Sequence, residues 1–83
     1  MTQSEVFKTV QSIVAQKLNV APELVTGASS AHTLPSWDSL AHMEIIVEIE
    51  NQLKIRFSFD DMVLMNNLDS LISVSISKLS TRN

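Results

Sequence analysis

The stretch Ser36-Trp37-Asp38-Ser39-Leu40-Ala41-His42 brings a hydroxyl, a carboxylate and an imidazole together. At i and i+3, Ser39 and His42 would share a helix face, which invites a hydrolase reading. A nucleophile elbow, however, needs glycine on both sides of its serine at a strained turn, and Trp37 and Ala41 occupy those places. An aspartate adjacent to the serine in sequence is also badly placed to orient the far side of the imidazole. His42 and His32 therefore read as surface residues.

Other chemistries lack their parts as well. There is no H-E-x-x-H, no glycine-rich phosphate loop and no calcium-loop spacing around Asp60 and Asp61. With Gly27 as the only glycine, backbone cradling of a nucleotide is disfavoured. The chain has no cysteine, so any thiol chemistry has to come from an attached group. One task does suit this stretch. The unpaired N–H groups and positive dipole end of a helix starting here would favour a phosphate, so a phosphodiester on Ser39 would sit in a favourable field. Like-charge repulsion from Asp38 would turn such a group toward solvent.

The elements that position these residues follow from periodicity. At 83 residues, 45% hydrophobic and 18% charged, the chain reads as one small domain, 1–83, near the lower size limit for an unaided core. Thr2 and Glu5 have capping-box spacing, and Val6, Phe7, Val10, Ile13, Val14 and Leu18 form the face of a first helix ending near Leu18. Gly27, Pro22 and Pro35 mark residues 19–38 as a long loop, with Leu24 and Val25 expected to tie it to the core. A second helix is expected from Asp38 or Ser39, both favoured caps, to Leu53. Its stripe is Leu40, Met43, Ile46, Ile49 and Leu53, widened by Ile45 and Val47.

Beyond it, Ile55, Phe57 and Phe59 alternate as in a strand, and Ser58 with Asp61 signals a short third helix through Met65. Residues 72–77 also alternate, but the helical stripe Leu68, Leu71, Ile72, Ser75, Ile76, Leu79 behind an Asn67 cap is longer and predicts a fourth helix. The expected fold is all-α, a four-helix bundle of three longer helices and one short, with the long loop after the first.

Charge narrows the partners. Between Lys17 and Lys54 no Lys or Arg occurs, while Glu23, Asp38, Glu44, Glu48 and Glu50 fall in that window of a chain of net charge -3. Such a surface repels nucleic acid and anionic lipid and attracts basic protein surfaces. No apolar run reaches the roughly 20 residues needed to span a bilayer, and Met1–Lys8 lacks the order of a signal peptide. A cytoplasmic monomer is the expectation.

Asp38-Ser39-Leu40, opening a central acidic helix after a long loop, resembles the acyl carrier proteins over nearly the whole chain. The resemblance implies that Ser39 receives 4′-phosphopantetheine from coenzyme A through a phosphopantetheinyl transferase. It also implies that the arm's thiol holds acyl groups as thioesters for loading and processing enzymes, and that the chain itself is not an enzyme. The matching recognition positions are Asp38, Leu40, Glu44, Val47, Glu48 and Glu50.

Ser36-Trp37 stands where many family members carry small glycine-containing pairs, and Ala41 replaces a frequent acid. The Gly-Gly-x-Ser stretch of peptidyl carriers is missing, which favours the acyl over the aminoacyl type. The reduced acidity makes a polyketide or modified-lipid pathway as reasonable as fatty-acid synthesis. An unmodified acidic helical adaptor for a basic partner is the alternative of a different class. Met43, Met62 and Met65 read as gap-fillers of a small core that could also adapt to an acyl chain.

Overall fold

The computed structural model describes residues 2–81; the other positions of the expected 1–83 domain lie outside the described residues. In chain order it consists of α1 (Gln3–Leu18), a 3-10 turn (Pro22–Leu24), α2 (Ser39–Leu53), α3 (Phe59–Leu64) and α4 (Leu68–Thr81). The architecture is the expected all-α bundle of three longer helices and one short, with no strand among the described residues.

Each helix starts where a side chain can satisfy its free N–H groups. The Thr2 hydroxyl accepts from the Glu5 N–H at 3.1 Å, and the Glu5 carboxylate accepts from the Thr2 N–H at 2.8 Å. Ser58 and Asp61 repeat this box before α3, at 3.1 and 2.7 Å. Asn67 Oδ1 accepts from the Ser70 N–H at 2.8 Å, and Ser70 Oγ accepts in return from the Asn67 N–H at 3.0 Å. That cap settles residues 72–77 as helix rather than strand. Leu68, Leu71, Ile72 and Ser75 are buried along it, and the Ser75 hydroxyl donates to the Leu71 carbonyl at 2.7 Å, so its burial leaves no polar group unpaired.

Val6, Val10, Ile13, Val14 and Leu18 of α1 form the centre of the core, against α2 and α4; α3 packs on α4. The buried ridge of α2 differs from the expected stripe. It runs Ala41, Ile45, Ile49, Leu53 with Ile46 beside it, whereas Leu40, Met43 and Val47 are exposed. Apolar residues thus lie on both the buried and the exposed sides of this helix.

The strand-like reading of residues 55–59 needs correcting. Ile55 and Phe57 are buried as their alternation predicts, but no partner strand is present among the described residues, and Phe59, 79% exposed, already belongs to α3. The backbone there is satisfied by α2 instead: the Ile55 N–H reaches the Glu50 carbonyl at 3.2 Å, and the Phe57 N–H reaches the Glu50 carboxylate at 2.8 Å.

The long connection is well anchored. Gln11 on α1 donates to the carbonyls of Pro22 and Val25, at 3.0 and 2.9 Å, and Val25 is buried; Leu24, expected to share that role, is exposed. Farther along, the carbonyls of Gly27 and Ser29 accept from the Asp69 and Leu68 N–H groups at 3.0 and 2.9 Å, so the loop closes the first turn of α4. Gly27 lies close to the Asp69 side chain: a Cβ there would meet the carboxylate at 2.5 Å, so a larger residue would require that exposed side chain to move. Ser36 donates to the Leu18 carbonyl at 3.3 Å, and Trp37 is buried at 3% exposure. The loop is thus fastened immediately before it delivers Asp38 and Ser39.

Candidate functional site

Trp37 fixes the chain from below, and Asp38 caps α2, its Oδ1 accepting from the Ala41 N–H at 2.8 Å. Ser39 is therefore the first helical residue, not the cap, and it is exposed. Its hydroxyl projects from the positive end of a 15-residue helix without being needed to hold that end together. The N–H groups of Ser39 and Leu40 have no acceptor inside the helix and lie at the same end.

Beside Ser39 an open cleft of about 660 Å³ runs between the start of α2, the loop and the α3–α4 connection. Met43, Met62 and Met65 line it together with Trp37 and His42; Met65, 1% exposed, also fills the core as expected, whereas Met43 is exposed. Unbranched thioether side chains make that wall adaptable.

His42 is half-buried rather than a free surface residue. Trp37 Nε1 donates to His42 Nδ1 at 2.9 Å, and the ring also hydrogen-bonds the backbone of Met65. Burial holds His42 below the usual imidazole range, and the Met65 bond opposes that shift. No Ser-His pairing toward Ser39 forms, because the imidazole is already engaged with Trp37 and Met65. A buried indole N–H needs an acceptor, which was the available signal for this pairing, five residues apart across a helix start.

Of the expected recognition residues, Leu40, Glu44, Val47 and Glu48 share one face of α2, with Asp38 at its head. Leu40 and Val47 are 70% and 48% exposed. Met43, 51% exposed, belongs to this face, although periodicity had assigned it to the core. Glu44 is exposed, whereas Glu48 lies 3.9 Å from Lys17 and accepts from Gln52 at 2.9 Å, so part of its charge is offset. Glu50 is not gathered onto this face; its carboxylate holds the Phe57 N–H. On α3, Phe59, Val63 and Leu64 add exposed apolar surface that capping and periodicity did not single out. Asp61 of α3 pairs with Lys78 of α4 at 2.8 Å, which with the Ser58 bonds keeps its carboxyl below the usual range.

No group of three or more metal-binding side chains occurs among the described residues. Nor, among them, is any helix long and apolar enough to cross a membrane.

No protein-family model matches the chain. An acyl carrier protein of Cyanidium caldarium is 29% identical over 82 residues, which span 99% of this chain and 95% of that relative. The solution structure of a holo acyl carrier protein from Geobacter metallireducens matches the fold with a TM-score of 0.81 at 28% identity, over 90% of this chain and 86% of that one. By sequence and by fold alike, over nearly its whole length, the chain is similar to acyl carrier proteins.

Proposed function

We propose that this chain carries acyl groups as thioesters on a 4′-phosphopantetheine arm attached to Ser39, delivering them to enzymes of fatty-acid, polyketide or specialised lipid biosynthesis. The observation that carries the reading is the exposed Ser39 hydroxyl, relieved of capping by Asp38, at the mouth of an apolar cleft. In attachment, Ser39 Oγ forms a bond to a phosphorus of coenzyme A, the bond from that phosphorus to the adenosine bisphosphate breaks, and the hydroxyl proton passes to the transferase. When bound, the arm supplies the thiol that a cysteine-free chain lacks. The open helix end favours the phosphodiester, and Asp38 turns it toward solvent. The chain performs no catalysis, and the compartment proposed is the cytoplasm.

Incubation with coenzyme A and a phosphopantetheinyl transferase is expected to add the mass of one phosphopantetheine, located by peptide mapping on Ser39. An unchanged intact mass across transferases of different specificity would overturn the reading.

The α2 face is proposed to dock the basic surfaces of the transferase and the acyl-handling enzymes, with Leu40, Met43 and Val47 adding apolar contact and Glu44 the leading charge. Glu44→Lys combined with Glu48→Lys is expected to slow modification by about tenfold or more at low ionic strength, with the difference shrinking as salt is added. Equal rates for both chains at low salt would remove the electrostatic part of the proposal. The adaptor alternative predicts partner binding indifferent to Ser39→Ala.

A further inference from the structure

The carrier reading leaves the Trp37–His42 pair unused. Its rings lie 6.0 Å apart, tilted by 31°, and the indole N–H donates to Nδ1. That bond needs a lone pair on Nδ1, so the proton of the neutral ring sits on Nε2, where it serves the bond to the Met65 carbonyl. One imidazole therefore joins the end of the loop, α2 and the α3–α4 connection. These are the walls of the cleft beside Ser39.

We infer that His42 is a positioning residue whose neutral ring latches this cleft, and that a proton added to Nδ1 releases the latch. A protonated Nδ1 would face another donor, so the Trp37 bond would break and a buried indole N–H would lose its acceptor. The other titratable groups lining the cleft are His32 and Asp38, both from the loop, and Asp38 is held by the Ala41 N–H. From the α3 side the lining residues, Met62, Met65 and Asn66, bring no titratable group.

The direction of the proton effect is fixed by burial, which makes the folded ring bind its proton less readily than the unfolded chain does. The contribution of the latch is therefore complete above the unfolded value of about 6.5 and is lost as pH falls through the lower folded value.

Trp37 is the only tryptophan, so its fluorescence reads the latch directly. The test uses the unmodified chain, which keeps its outcome separate from that of the carrier reading. Between about pH 7.5 and 5 the emission is expected to change in a one-proton step centred below about 6.5, with far-ultraviolet circular dichroism unchanged. His42→Gln removes the step and His32→Gln retains it. A step that survives His42→Gln, no step at all, or one that coincides with loss of helix overturns the inference. Should His42→Gln fail to fold, proton–nitrogen correlation spectra of the native imidazoles decide. An Nε2–H tautomer for His42 at neutral pH supports the latch, and an Nδ1–H tautomer overturns it.

Discussion

A Ser39→Ala chain is expected to take up no phosphopantetheine while folding as well as the native chain. The two halves of this result have separate physical causes. Loss of modification is expected because Ser39 is the exposed hydroxyl that opens α2 beside the cleft, while the nearby Ser36 hydroxyl is bound to the Leu18 carbonyl. Retention of stability follows because the cap belongs to Asp38, and alanine has a high intrinsic helix propensity. The change in unfolding free energy is expected within about 0.5 kcal/mol. Asp38→Ala is the contrast: removing the acceptor of the Ala41 N–H should cost about 1 kcal/mol. Intact mass after transferase treatment and urea denaturation followed by circular dichroism measure the two effects. A modified Ser39→Ala chain would refute the attachment site, and a Ser39→Ala cost matching that of Asp38→Ala would return the cap to Ser39.

That distinction shows where sequence reasoning stopped. Asp and Ser are both good caps, and adjacent candidates cannot be ranked without knowing which backbone φ and ψ the chain adopts. The helix starts at Thr2 and Ser58 were legible because each has an acidic partner three residues later. The fourth helix was legible for a related reason: a stripe from Leu68 to Leu79 outweighs six alternating residues when an asparagine precedes it.

The central helix was harder to read, because Leu40, Met43, Ile45, Ile46, Val47 and Ile49 surround it with apolar groups. Periodicity then cannot choose between faces, and the choice falls to the fit of Ala41, Ile45, Ile49 and Leu53 against the rest of the core. The outward face left over is the one that carries Leu40, Met43 and Val47 beside Glu44. Glu50 is a similar case. Its acidity suggested recognition, but the turn after α2 needs an acceptor for the Phe57 N–H, a demand that depends on the tertiary path of residues 54–57. Trp37 was the least readable residue of all, since a large aromatic stands where small residues are usual in the resembling family.

Trp37→Ala is expected to be the most destabilising single change near the site. The residue is only 3% exposed, and truncating a buried tryptophan costs about 3–5 kcal/mol in lost burial and residual cavity. An 83-residue domain typically has about 4–12 kcal/mol in total, so a large share of its stability is at stake. The loss has two parts that a second variant separates. Trp37→Phe keeps most of the apolar contact but removes the indole N–H, leaving His42 Nδ1 without its donor, and should cost about 1–2 kcal/mol. Urea titrations of both variants at neutral pH, followed by circular dichroism because the fluorophore is gone, give the two values. Hydrogen exchange adds a spatial test: amides at the start of α2 and around Met65 should lose protection before those of Val10 and Ile13 in α1, because Trp37 and His42 join the loop and α2 to the α3–α4 connection. A Trp37→Ala cost below about 1 kcal/mol, with uniform protection, would mean that the large residue merely occupies space left by the loop. The expected result makes it the fixed floor on which Ser39 is presented.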